Sequence, residues 1–263
     1  MSPSTLLIDA GNTRVKWGWR APDGSVCATG ACLHADLPTV AGAAWHAGSR
    51  HGNPTDIWLC NVAGADVEAA VKNVASTIFS SHVKWHHAGS SANASGVRNG
   101  YRHPAQLGAD RWVSAIGAHA RWPKRPLLIV TAGTATTIDV LTADGLFRGG
   151  MILPGLTLMA QSLARGTAQL PDISAITPPL PAWADNTQDA IALGCLSAQC
   201  GAIQQAWDRL SKEVAPDMPQ CILSGGAQGA LAAALMMPFC QHDNLVLAGL
   251  ARLALCGVSS DAT

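Results

Sequence analysis

Charge is scarce in this chain: Asp, Glu, Lys and Arg make up only 13% of 263 residues, and the 17 acidic and 17 basic side chains cancel. No basic cluster stands out, so the electrostatic footprint of a nucleic-acid partner is missing. Long apolar runs are absent as well. The longest, residues 230–239, is about half of the roughly 20 residues needed to cross a bilayer, so no membrane span is expected. The opening residues 1–10 carry no basic flank, and Leu6 to Ile8 is too short for the core of a secretion signal, which implies a cytoplasmic protein. Eight cysteines are present but no Cys-x-x-Cys pair, and their apolar surroundings read as reduced core positions. His82, His86 and His87 cluster without the further ligands of a tetrahedral zinc site and read as a polar surface segment. Tyrosine occurs once, at Tyr101.

Hydrophobic residues account for 48% of the chain, which excludes disorder. With so little charge to cover it, some of that surface is expected to be buried between subunits, so a homo-oligomer is anticipated. The length suits two domains of about 130 residues.

Two segments share one plan. Leu6-Leu7-Ile8-Asp9-Ala10-Gly11-Asn12-Thr13 and Leu128-Ile129-Val130-Thr131-Ala132-Gly133-Thr134-Ala135 each read as a buried strand running into a glycine turn of the same shape. Such a turn presents amide and hydroxyl groups to an anion. After the first, residues 14–19 alternate, with Val15, Trp17 and Trp19 on one face and Lys16 on the other. Asp23-Gly24 signals a hairpin and residues 26–33 supply a third strand. Helices are expected over 39–47 and 65–78, flanking a buried strand at 57–62. Residues 90–106 form the longest stretch without periodicity, and a helix restarts over 112–120. After the prolines at 123 and 126 the plan repeats with strands at 127–131, 136–141 and 146–152. Then come a helix over 156–163, a proline-rich extended connector from 171 to 181, and a long helix over 187–210 capped by Asn186 or Thr187. A strand at 221–223, a turn at Ser224-Gly225-Gly226 and helices over 228–235 and 246–255 complete the chain. The domains are expected at 1–122 and 123–263.

The motifs Asp9-Ala10-Gly11-Asn12-Thr13-Arg14-Val15-Lys16, Gly108-Ala109-Asp110-Arg111, Gly133 to Asp139, Gly149 to Gly155, Asn186-Thr187 and Ser224-Gly225-Gly226, in that order, resemble the type III pantothenate kinase family. Some members of that family are named Bvg accessory factors. The resemblance implies an α/β fold of duplicated ribonuclease H-like domains of the actin and sugar-kinase type, with mixed sheets and a nucleotide cleft between the domains. It implies phosphorylation of pantothenate by ATP at the start of coenzyme A biosynthesis, in a homodimer whose substrate site lies at the subunit interface. Other small-molecule acceptors on the same scaffold, or an ATP-binding accessory regulator without turnover, are the alternatives.

The same resemblance distributes roles. The first phosphate turn, residues 9 to 16, would hold the ATP phosphates, with Asp9 reaching magnesium through water; the plain alternative is an Asn/Gly hairpin. Asp110 would be the catalytic base and Arg111 would bind the substrate carboxylate with Gly108, Ala109 and Tyr101 around it; as a plain alternative Asp110 is an N-cap or first-turn acid. Thr187 would contact substrate across the dimer. Gly133 and Thr134 would meet ATP, and Gly225 and Gly226 would flank its adenosine. Relatives also carry an aspartate for a monovalent cation, potassium or ammonium, where this chain has Thr131, and a neutral hydroxyl is the weaker ligand for a hard cation. Asp139 stands on the same side as Thr131 only if the turn between them preserves register.

Overall fold

The computed structural model describes residues 5–49, 53–173 and 175–257. The elements, in chain order, are β1 Thr5–Ala10, β2 Arg14–Arg20, β3 Val26–Leu33, α1 Gly42–Ser49, β4 Asp56–Asn61, α2 Ala65–Ile78, β5 Lys84–His87, β6 Asn93–Ala94, β7 Val97–Asn99, α3 Ala109–Arg121, β8 Leu127–Ala132, β9 Ala135–Leu141, β10 Leu146–Pro154, α4 Leu156–Gly166, α5 Thr187–Val214, β11 Gln220–Ser224, α6 Gln228–Ala232, β12 Cys240–Gln241 and α7 Leu245–Cys256. The chain divides into two compact units. One runs to Pro123 and takes up the chain again from Leu245, and the other is Lys124–Asn244.

In the first unit five strands order as β3-β2-β1-β4-β5, antiparallel in the meander and parallel from β1 to β5. Alternation decides which face each side chain takes. Leu6, Ile8, Val15, Trp17 and Trp19 face α1 and α2, where Trp45, Val71 and Phe79 meet them. The tryptophans lock edge-on: the Trp17 and Trp45 ring centroids lie 6.2 Å apart at 89°. The helix expected over 39–47 begins instead as a π turn at Leu37–Ala41, with Pro38 in its first turn, before α1 continues it. The stretch 90–106 contains the two-strand hairpin of β6 and β7, which is too short to register as periodicity.

The opposite face of this sheet is covered by α3 and α7, which pack on one another and on β1 and β4. The sequence reading grouped the last helix with the second domain, whereas from Leu245 the chain clusters with the first unit. The reason is close helix packing. Leu245, Val246, Leu247, Leu250, Ala251 and Leu253 are all buried, and a Cβ at Gly249 would overlap the Val113 carbonyl of α3. Only a glycine lets the two backbones approach this far. Gly249→Ala is therefore expected to cost about 1–3 kcal/mol of stability or more through overpacking, read as a lower urea midpoint, and to reduce turnover because α3 is displaced. An unchanged midpoint would refute this account of the helix pair.

In the second unit the strands order as β12-β11-β8-β9-β10. Leu128, Val130, Ala132 and Ile138 face a core built with α4, α5 and α6 through Leu156, Leu196, Ile203, Trp207 and Leu231. Gln199 is fully buried there. Its Nε2 donates to the Pro154 carbonyl at 2.8 Å and its Oε1 accepts from Thr136 Oγ1 at 2.9 Å, tying α5 to β9 and β10. Among the described residues no helix is long and apolar enough to cross a membrane, and all eight cysteines are free thiols.

Candidate active site

Asp9 is the penultimate residue of β1, on the face that turns away from the tryptophan core. Strand register sets Lys16 directly opposite it on β2 and Cys60 beside it on β4, so the three side chains share one rung of the sheet. Asp9 is 8% exposed. Burial pushes its pKa up to about 6; Lys16 pulls it back down, and the charge of Asp110 pushes it further up. Cys60, wholly buried, has its thiol raised well above the ordinary value by burial and then by the charges of Asp9 and Asp110. The two carboxylates thus sense one another within the first unit.

Asp110 reaches this position on the first turn of α3. The helix N-cap is Gly108, so Asp110 is not the cap, and its Oδ1 accepts the Arg111 backbone N–H at 2.8 Å. A first-turn carboxylate is favoured by the positive end of the helix dipole. Ala109 opens the helix, and Arg111, the residue after Asp110, is buried. Arg111 Nη1 donates to the Tyr101 hydroxyl at 2.7 Å, with the guanidinium carbon 5.7 Å from the ring centroid. Tyr101 is itself held by Asn99. The Asn99 Oδ1 accepts the Tyr101 N–H at 3.0 Å while its Nδ2 donates to Ser90, Ser91 and the Pro104 carbonyl. One buried arginine therefore has its aromatic neighbour positioned by the loop that precedes it.

The two glycine turns differ in length, contrary to the equal shape expected. Between the last paired residues Ala10 and Val15 stand Gly11, Asn12, Thr13 and Arg14, whereas between Ala132 and Thr136 stand only Gly133, Thr134 and Ala135. The first closes with the Gly11 N–H donating to the Arg14 carbonyl at 3.0 Å, and the second with the Gly133 N–H donating to the Ala135 carbonyl at 3.0 Å. Asn12, Thr13 and Arg14 are exposed, as are Gly133, Thr134 and Ala135, while Val15 is buried in the core. Hydroxyls replace the charges of the first rung in the second: Thr137 stands opposite Thr131 and Ser224 beside it, where the first unit has Lys16, Asp9 and Cys60.

Register across the second turn is preserved, so Asp139, opposite Ile129, shares a face with Thr131. Its Oδ1 nevertheless lies over Gly150 on β10, where a Cβ would overlap it. That strand flanks β9 on the side away from Thr131. Gly225 adopts a φ of +96°, and a Cβ there would overlap the Ala132 carbonyl. This glycine is thus required by its own backbone and by β8, without reference to a ligand, while Gly226 is exposed with open space around it. Thr187 is exposed at the first position of α5, and Asn186 is the cap, its Oδ1 accepting the Asp189 N–H at 2.9 Å. It stands twelve residues before Gln199 on one helix, about 18 Å along the axis from the contact with Thr136.

Three contributors were not legible in the sequence: Asn99, Gln199, and His34, whose Nε2 lies 2.8 Å from the Gly11 carbonyl. Each acts through a contact distant in sequence or inside a loop, where no periodic pattern marks it. His86 and His87 pair separately, with Asp56 at 2.7 Å and Glu68 at 2.9 Å, and so do not converge.

Solved structures with the same fold include one provisionally described as a 2-dehydro-3-deoxygalactonokinase from Sinorhizobium meliloti, with a TM-score of 0.57 and 17% identity over 97% of this chain and 100% of that one. Another, provisionally described as a Baf family transcriptional activator from Campylobacter jejuni, has a TM-score of 0.55 and 17% identity over 96% of this chain and 98% of that one. The architecture is accordingly the duplicated α/β fold of the sugar-kinase type. The family model for type III pantothenate kinases matches residues 5–209. A type III pantothenate kinase of Cupriavidus taiwanensis is 46% identical over 289 aligned residues, covering 97% of this chain and 99% of its own length. One from Burkholderia pseudomallei is 42% identical over 97% of this chain and 99% of its own. The chain belongs to the type III pantothenate kinase family.

Proposed function

We propose that the chain transfers the γ-phosphoryl group of ATP to the primary hydroxyl of pantothenate, giving 4′-phosphopantothenate in coenzyme A biosynthesis. The observation that carries the site reading is the start of α3, where Arg111 bonds Tyr101 and the preceding residue, Asp110, carries a charge within electrostatic reach of Asp9. One helix turn thereby holds the carboxylate for the reacting hydroxyl next to the cation for the far end of the substrate. Arg111 binds the pantothenate carboxylate through a planar, bidentate fork, and Tyr101 fixes the plane of that fork. The hydroxyl then meets Asp110, which orients it and accepts its proton. Because phosphoryl transfer is usually loose, with little bond formation to the attacking oxygen, orientation counts for more than early deprotonation.

Asp9 fits a magnesium ion: it is a buried carboxylate oxygen donor, destabilised as an anion, which a hard cation or its waters would relieve. Magnesium, when bound with ATP, neutralises charge on the phosphate oxygens. Lys16 adds a positive charge on the same rung, and the exposed residues Asn12 to Arg14 of the first turn and Gly133 to Ala135 of the second offer amide and hydroxyl donors to phosphate. Gly226 leaves room for the nucleoside. The exposure of Thr187, together with large apolar side chains left exposed at Ile152, Leu158 and Trp183, supports a homodimer in which Thr187 reaches substrate in the partner's site. Free thiols throughout support a cytoplasmic enzyme.

A monovalent cation does not fit the residues present. The rung at Thr131, Thr137 and Ser224 carries hydroxyls alone, and the Asp139 carboxylate on the same face leans over Gly150 instead. A coupled kinase assay with pantothenate, magnesium and ATP is the direct test. Turnover is expected, and it should agree within about twofold in sodium, potassium and ammonium salts, since hydroxyls alone bind such ions weakly. No turnover of pantothenate in any salt would overturn the function, and tenfold stimulation by potassium would overturn the statement about the cation.

A further inference from the structure

We infer that His34 is a positioning residue of the kinase, setting the direction of a phosphate-binding amide in the first turn. Leu33 at the end of β3 pairs with Arg14 at the start of β2, so the following residue, His34, lies beside the Gly11–Arg14 turn. Its Nε2 is 2.8 Å from the Gly11 carbonyl oxygen. A carbonyl oxygen can only accept, so Nε2 carries the proton and donates it.

The Gly11 peptide groups are then held at both ends. The Gly11 N–H donates to the Arg14 carbonyl across the turn, and the Gly11 carbonyl accepts from His34. In a planar trans peptide the carbonyl of one residue and the N–H of the next point in opposite directions. Fixing the Gly11 carbonyl towards His34 therefore aims the Asn12 N–H away from it, on an exposed turn. Glycine makes this constraint useful, because residue 11 by itself has wide backbone freedom and the peptide could rotate. His34 is half-buried, and its ring meets the turn at the Gly11 carbonyl, so its effect falls on ATP and not on the acceptor substrate.

The inference rests on the reading of this turn as the ATP phosphate site, and the test separates the two. Magnesium-ATP binding is measured by calorimetry, and both KM values are measured by coupled assay, for wild type, His34→Ala and His34→Gln. Gln can place its amide nitrogen near the position of the histidine Nε2. His34→Ala is expected to weaken ATP binding and raise the ATP KM about tenfold, the worth of one well-aimed donor, with the pantothenate KM within twofold of wild type. His34→Gln should recover most of the loss. The amide proton of Asn12 should also shift and exchange faster in the ligand-free Ala variant, a readout that needs no activity. Failure of the wild type to bind ATP would overturn the reading of the turn. Normal ATP affinity in His34→Ala, equal changes in both KM values, or a Gln variant as impaired as Ala would overturn the role of His34.

Discussion

Replacing Asp110 with Asn is expected to lower pantothenate turnover by about 10²–10⁴-fold, the usual range for loss of a positioned acid–base group. In free energy that is about 3–5 kcal/mol of transition-state stabilisation. The fold should survive, because Asn retains the oxygen that accepts the Arg111 N–H, and the lost charge is favourable towards the helix start but unfavourable towards Asp9. The pattern across parameters discriminates the roles. Arg111 and Tyr101 remain bonded to each other, so pantothenate KM should change little while kcat falls. A variant that retains turnover within tenfold of wild type would remove Asp110 from the chemistry and leave it a first-turn acid. A fall in KM affinity equal to the fall in kcat/KM would make it a binding group.

Asp9→Asn should do two opposite things: abolish most turnover and make the ligand-free protein more stable at neutral pH. The native pKa of Asp9 is raised from 3.8 to about 6, chiefly by burial, and the opposing pull of Lys16 is already contained in that net rise. For an acid whose folded pKa is the higher one, the unfolded chain loses its proton first as pH rises. Between about pH 4 and pH 6 the native state binds more protons, so stability falls with pH across that window and is level above it. A shift of about 2 units corresponds to about 3 kcal/mol. Asn at this position carries no charge to desolvate and escapes the penalty. Thermal melts of the magnesium-free proteins should coincide near pH 4 and diverge by about 5–10 °C above pH 6, with Asp9→Asn the higher. Curves that run parallel from pH 4 to pH 8 would mean that Asp9 is not an unfavourable buried anion. Such a carboxylate, retained at a cost to the fold, makes sense as a group kept for a cation that arrives with the nucleotide.

Much of the site was legible because its chemistry is local. Asp9 and the glycine turn follow directly from a buried strand, and Lys16 falls opposite Asp9 once the hairpin is drawn. Asp110 and Arg111 are neighbours in sequence at a helix start. What they face was not legible. Cys60 shares the rung of Asp9 through a parallel pairing across about fifty residues, and His34 reaches Gly11 only because β3 ends beside the turn. Asn99 organises Tyr101 from inside a stretch that carries no periodic signal.

The amino-acid order alone determined the duplicated strand-turn plan, the alternation that turns Trp17 and Trp19 inward and Lys16 outward, a cap at 186 or 187 for the long helix, and the pairing of acid with arginine at residues 110 and 111. These depend on near neighbours and on a period of two or 3.6 residues. The tertiary structure decided the rest. It made the second turn one residue shorter than the first, set hydroxyls at 131, 137 and 224 on the rung matching Asp9, and leaned Asp139 over Gly150. It also returned the final helix to the first unit, against α3. A periodic pattern states which face of an element is apolar, but not which distant surface will cover it. That choice belongs to backbone approach and packing, here to Gly249 of the last helix against Val113 of α3, the helix whose first turn carries Asp110.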